Sequence, residues 1–155
     1  MNFPKTKDVP GSLYPGKLLC FGMGFSSQAL ARRLVPKGWQ VSGTVRGVQD
    51  EAKLRNISVI NYDCSNSTLE ISEAISRSTH LLITIPPQPS GDIVLNNFSA
   101  EISRARHLRW IGYISSTGVY GDNQGAWVDE SSPLRATSNR NRQRIDVEAT
   151  WFKIG

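Results

Sequence analysis

Along the chain, short continuous apolar runs alternate with stretches whose apolar positions recur every three or four residues. Leu18 to Phe21, Trp39 to Val45, Ser58 to Tyr62, Leu81 to Ile85 and Trp110 to Ile114 have the length and residue types of buried strands. Between them, Ser27 to Leu34, Gln49 to Arg55, Thr68 to Ser76 and about Asp92 to Arg106 read as helices. A last helical pattern runs from about Asn139 to Phe152. Ser67 and Glu70 stand at capping-box spacing before the third helix, so each side chain can satisfy the other's backbone N–H. In the fourth helix Leu95, Phe98 and Ile102 fall on one face. The first sixteen residues, broken by Pro4, Pro10 and Pro15, form a lead-in.

Apolar strands separated by helices predict an α/β fold, a doubly wound, Rossmann-like parallel sheet covered on both faces, with strand order 3-2-1-4-5. In such a sheet the ligand crevice lies beyond the strand carboxyl ends, where the order reverses. The expected division is a lead-in over 1–16 and a nucleotide-binding domain over 17–155. A fold of this kind normally adds a sixth strand after the last helix. Its absence reads as a domain incomplete at the C-terminus.

Composition narrows the class. The chain has 155 residues, 39% hydrophobic and 20% charged, which excludes disordered and fibrous proteins. No apolar run approaches the roughly 18 to 20 residues of a membrane helix, and the lead-in has no apolar core of a secretory signal. The expectation is a cytoplasmic protein that does not enter a membrane. Cys20 and Cys64 match no metal or redox spacing and read as free thiols. His80 and His107 have no partner at metal or triad spacing, so no metal site is expected.

The formal net charge of +5 raises nucleic acid, an anionic surface or a phosphorylated small molecule as partners. The arginines fall in three places, Arg32 and Arg33; Arg104, Arg106 and Arg109; Arg140, Arg142 and Arg144. None is interleaved with aromatics as in single-strand binders, so solvated helix faces are expected and no specific nucleic-acid partner.

The chemistry concentrates after the first strand, at Gly22-Met23-Gly24-Phe25-Ser26-Ser27. Strand, glycine loop and helix in succession form a phosphate-binding context. Gly22 would make the tight turn. Gly24, without a Cβ, would let a pyrophosphate approach the N–H groups around Phe25 and Ser26, at the positive end of the helix dipole. Ser27 occupies the place of a third glycine and still permits close packing. No lysine follows as in an ATPase loop.

The second strand ends in Thr44-Val45-Arg46, with no carboxylate for a ribose 2′-hydroxyl and a guanidinium where a 2′-phosphate would lie. A charge-assisted hydrogen bond contributes about 1.5 to 3 kcal/mol, so the expected cofactor is NADP in preference to NAD. Asp63, after the third strand, can accept from an adenine amino group. Pro86 and Pro87 would fix the crevice rim. The alternatives are a solvent-facing Arg46 and an exposed loop carboxylate at Asp63.

The Gly22 and Gly24 loop, the Thr44-Val45-Arg46 run and above all Ser115-Ser116-Thr117-Gly118-Val119-Tyr120-Gly121-Asp122, followed by Val128-Asp129-Glu130 and Pro133, resemble the extended and atypical short-chain dehydrogenase/reductases. That group contains nucleotide-sugar epimerases and dehydratases, and the resemblance covers Lys17 to about Ala149. It implies an NAD(P)-binding oxidoreductase or epimerase/dehydratase-like protein acting on a small-molecule carbonyl or hydroxyl substrate. Ser116, then Thr117, matches the hydroxyl that bonds the substrate oxygen; both can equally cap a turn. It also implies that the sixth strand and a substrate lobe are missing here.

The family's active-site helix carries a Tyr and, four residues on, a Lys. Counting back from Glu148, this chain has Arg140 and Arg144. Arg144 can hold a ribose hydroxyl and stabilise negative charge, but a guanidinium does not titrate at ordinary pH. Tyr120 is the nearest phenol in sequence, with a structural place in the motif. Two readings stay open for the arginines: a site role, or a solvated face with Arg142 to Asp146 and Arg144 to Glu148 as weak pairs. The departures leave an inactive NADP-binding sensor as the alternative function.

Overall fold

A computed structural model describes residues 15–47, 56–64 and 68–154. Five parallel strands form one sheet: β1 (Lys17–Phe21), β2 (Gln40–Val45), β3 (Ile57–Asn61), β4 (His80–Ile83) and β5 (Trp110–Tyr113). They lie in the order β3-β2-β1-β4-β5, as the alternation predicts. The described helices are α1 (Phe25–Leu34), α2 (Leu69–Arg77), α3 (Ile93–Arg104) and α4 (Asn139–Ile154). The helix expected over Gln49 to Arg55 lies outside the described residues, as does Ser67.

Alternation along β1 divides the core. Leu19 and Phe21 join Leu81 and Ile83 of β4 on one face, against Ile71 and Ile75 of α2, Val94, Phe98 and Ile102 of α3, and Val147 and Trp151 of α4. Leu18 and Cys20 join Val41, Val45 and Leu82 on the other, against Ala31 of α1. The inner strands are therefore buried on both faces. The edge strands are not: Val59 of β3 and Trp110 of β5 remain exposed.

Several expected boundaries move for local reasons. Helix α1 starts at Phe25, two residues early, because Gly24 already accepts the Gln28 N–H as an N-cap. Helix α2 starts after Thr68, whose hydroxyl accepts the Ile71 N–H, so the cap is Thr68 where the Ser67–Glu70 spacing predicts a capping box. Strand β4 stops at Ile83, since the Thr84 and Ile85 N–H groups both turn to the Phe21 carbonyl. On α3 the buried stripe is Val94, Phe98 and Ile102, with Leu95 only half-buried.

Candidate functional site

The carboxyl end of β1 lies between β2 and β4, where the strand order reverses. Gly22 turns the chain there at φ +97°, a left-handed region that favours glycine. A Cβ at Gly22 would stand 2.6 Å from Thr84 Oγ1 and 3.1 Å from Ile85 Cγ1. Neighbouring strands hold the turn. Gly22 donates its N–H to Thr44 Oγ1 at 2.8 Å, and Met23 donates to the Thr44 carbonyl at 2.7 Å. The Gly22 carbonyl accepts from Ser27 Oγ at 2.6 Å, and Thr84 Oγ1 lies 2.8 Å from it. Ser27 is fully buried, so the small residue in the third glycine's place closes the loop from inside.

Gly24 differs. Its backbone is extended, with φ −82° and ψ −162°, a conformation open to ordinary residues. A Cβ there would meet nothing within 4 Å. No side chain caps α1, and no acidic residue stands in its first turn. The first N–H groups of the helix, including those of Phe25 and Ser26, have no partner within the helix, and both residues are exposed. The loop and helix end therefore fit a diphosphate: oriented donors, a positive dipole end and room above Gly24.

The next strand tips carry the charged pair named from the sequence. The Tyr62 N–H donates to the Val45 carbonyl at 2.8 Å, so the residues after β2 and β3 stay side by side. Arg46 and Asp63 are both exposed and flank the half-buried Cys64. Burial raises the Cys64 thiol pKa, the Arg46 cation lowers it and the Asp63 carboxylate raises it. Pro86 lies beyond β4, half-buried, in the segment that follows the loop's Thr84 contact.

Across the reversal point, Ser116 N-caps a short 3-10 turn over Thr117–Tyr120, its hydroxyl accepting the Gly118 N–H at 3.2 Å. Thr117 is exposed beside it. The turn-capping alternative thus describes what the Ser116 hydroxyl does here. Asn141 of α4 packs on Gly118, which brings the helix start to this turn.

Arg140 and Arg142 face solvent or its edge. Arg144 does not: it is 9% exposed, and its Nη1 donates to the Ile114 carbonyl at 3.3 Å. Among the described residues, neither Arg142 with Asp146 nor Arg144 with Glu148 forms an ion pair, so the solvated-face alternative fails for Arg144. The structure brings together two groups: Gly22, Gly24, Phe25, Ser26 and Ser27 at the end of β1, and Ser116, Thr117 and Arg144 at the end of β5.

Thr44 and Thr84 hold the glycine loop, and Tyr113 lies within reach of Arg144; sequence reasoning gave none of them a site role. Burial raises the Tyr113 phenol pKa while the Arg144 guanidinium draws it down, with Asp92 and Glu148 opposing. Thr84 directly follows the fourth strand and Tyr113 ends the fifth, so strand position was the available signal.

No protein-family profile matches the chain. Protein YeeZ of Escherichia coli is 29% identical over 146 residues, which cover 85% of this chain and 52% of YeeZ. Among solved structures, a functionally uncharacterised conserved protein from Silicibacter pomeroyi is 39% identical, with a TM-score of 0.76, over 90% of this chain and 49% of its own. A protein from Methylobacillus flagellatus described as an NAD-dependent epimerase/dehydratase is 24% identical, with a TM-score of 0.69, over 88% and 50%. The UDP-glucuronic acid 4-epimerase of Bacillus cereus, solved as a point mutant with a UDP-sugar and NAD, is 17% identical with a TM-score of 0.63, over 89% and 52%. The chain spans about half the length of each. It has the five-stranded Rossmann-like fold of the NAD-dependent epimerase/dehydratase-like proteins.

Proposed function

We propose that the chain binds a nicotinamide dinucleotide across the carboxyl edge of its sheet, NADP in preference to NAD. It would serve oxidoreductase or nucleotide-sugar epimerase/dehydratase-like chemistry on a small-molecule carbonyl or hydroxyl substrate in the cytoplasm. The observation that carries the reading is Gly24, a glycine that neither backbone strain nor crowding requires, at an uncapped helix N-terminus. A ligand approaching that backbone closely supplies the reason for glycine.

In this reading Gly22 and Ser27 shape the loop, and the N–H groups at Gly24, Phe25 and Ser26 receive the diphosphate. Arg46 meets the 2′-phosphate, Asp63 the adenine side, and Pro86 borders the crevice. Ser116 and Thr117 orient the substrate oxygen, and Arg144 stabilises negative charge near it. The bound nicotinamide supplies hydride transfer; the chain supplies binding, orientation and electrostatics.

A second reading, a dinucleotide sensor without turnover, draws on α4. Where the resembled family has a titrating Tyr and Lys, Arg140 is exposed and Arg144 buried, and neither guanidinium exchanges protons near neutral pH. Calorimetry with NADP(H) and NAD(H) tests both readings. The expected result is tighter NADP binding, with Arg46→Ala weakening it about tenfold to a hundredfold and leaving NAD affinity unchanged. Equal affinity for both cofactors in the unchanged chain overturns the NADP preference. Binding without isotope exchange on any carbonyl substrate selects the sensor.

A further inference from the structure

The glycine loop occupies the carboxyl edge of the sheet, and the amino edge carries a different chemistry. Parallel strands all begin there, and backbone bonds tie their starts into one row. Gln40 donates its N–H to the Gly16 carbonyl at 3.1 Å, Thr79 to that of Lys17 at 2.9 Å, and Arg109 to that of Thr79 at 2.8 Å. Four adjacent strands spaced about 4.8 Å apart make the row roughly 14 Å long.

Cations that stand far apart in the sequence gather at this edge. Lys17 opens β1, Arg33 and Lys37 precede β2, and Arg104, Arg106 and Arg109 precede β5, all of them exposed. Helix dipoles favour cations in a last turn and so account for Arg33 and Arg104. Lys17, Arg106 and Arg109 lie outside the helices. Arg77 of the same edge is paired with Glu73. The segments that lead into these strands, 15–17, 35–40, 77–80 and 104–110, contain no Asp or Glu.

Aromatic rings lie in the same row. Leu18, His80 and Trp110 are in register across β1, β4 and β5, and Trp39 stands just before β2. The Trp39 and His80 rings meet edge to face with centroids 4.7 Å apart, and Trp110 follows 6.2 Å from His80. With Leu30 and Leu34 of α1 these residues line a groove of about 260 Å³. Pockets that enclose a whole small ligand span about 300 to 1,000 Å³, so the groove suits one inserted ring. At Gly112 a Cβ would overlap the Trp110 indole, so glycine lets the ring lie along β5, and Trp110 remains 47% exposed.

We propose that the amino edge binds single-stranded nucleic acid without base preference, its cations on the phosphates and the Trp110 ring and adjoining groove stacking a base. Stacking of this kind tolerates any sequence, because every base has a π-face, and the cations gain from counterion release. A duplex keeps its bases stacked on one another and offers these rings nothing. A lipid surface is met by a protruding apolar face, whereas the apolar groups here line a recess. The surface lies opposite the glycine loop and stands apart from the dinucleotide reading.

Fluorescence anisotropy of a labelled oligothymidylate of about 20 nucleotides, titrated with the full chain at about 50 mM and about 200 mM salt, tests the proposal. Binding is expected at the lower salt and should weaken tenfold or more at the higher, roughly the release from three phosphates. Trp110→Ala should weaken binding about tenfold with the salt slope unchanged, and Trp110→Phe, which keeps a ring, should restore most of it. Arg106→Ala should lower the slope by about 0.7, the share of one phosphate. Absence of binding at the lower salt, undiminished affinity in Trp110→Ala, or equal affinity for a duplex of the same length overturns the proposal. So does displacement of the oligonucleotide by NADP, which would put it in the crevice, or binding to phosphatidylserine vesicles in its place.

Discussion

Gly22 and Gly24 stand two residues apart and need glycine for different reasons. At Gly22 the positive φ and the Thr84 hydroxyl exclude a side chain; at Gly24 nothing within the chain does. The pair was legible in the sequence because a glycine loop between strand and helix has a local signature. Thr84 was not, since its role depends on β4 lying beside β1, a contact across 62 residues.

Cys20 yields a pH prediction at the same scale. Burial pushes its thiol up to about 11 from an ordinary 9.0, with the Ser27 hydroxyl pulling the other way. Below pH 9.0 the thiol is protonated in folded and unfolded chains alike, and the stability is fully present. Between 9.0 and about 11 the unfolded chain sheds the proton and the folded chain keeps it, so stability falls with rising pH. A shift of this size corresponds to about 3 kcal/mol. Urea denaturation at about pH 8 and about pH 10.5, below and within that window, is expected to show the loss in the unchanged chain and a smaller loss in Cys20→Ala. Equal losses would contradict it.

Among the elements, existence and order could be read from periodicity, while ends and buried faces depended on tertiary contacts. Helix α4 shows the limit most clearly. Its buried residues Arg144, Val147 and Trp151 follow helical spacing, yet Arg144 breaks the apolar stripe, so the sequence left a solvated face open as an alternative. Only the end of β5, with the Ile114 carbonyl turned toward Arg144, shows why a cation is buried there.

Asp92 connects α3 to α4 by capping one and accepting from the indole of the other, at 2.9 and 3.3 Å. Asp92→Ala removes both bonds and is expected to destabilise the chain by about 2 kcal/mol. The midpoint of urea denaturation reads this directly, and an unchanged midpoint would show that neither bond supports the packing of the two helices.

At the scale of the whole molecule, alternation called for a parallel sheet, because each crossover helix must return the chain to a parallel strand, and 3-2-1-4-5 was the doubly wound order expected of it. That order sets β1 at the reversal point and so places the glycine loop, Arg46 and the Ser116 turn along one edge of the sheet. The proposed cofactor preference and substrate site were less legible, because that proposal turns on Arg46, Asp63 and Ser116, polar residues at strand tips that equally suit solvent or a turn. The chain covers about half the length of the relatives it matches.

The central claim is that a diphosphate lies over Gly24 at the start of α1, and Gly24→Ala tests it most directly. Calorimetric titration with NADP, alongside the melting temperature, should show a variant as stable as the unchanged chain that has lost binding, since the added methyl meets only open space until the ligand arrives. NADP binding of undiminished affinity in a folded Gly24→Ala chain would contradict the account.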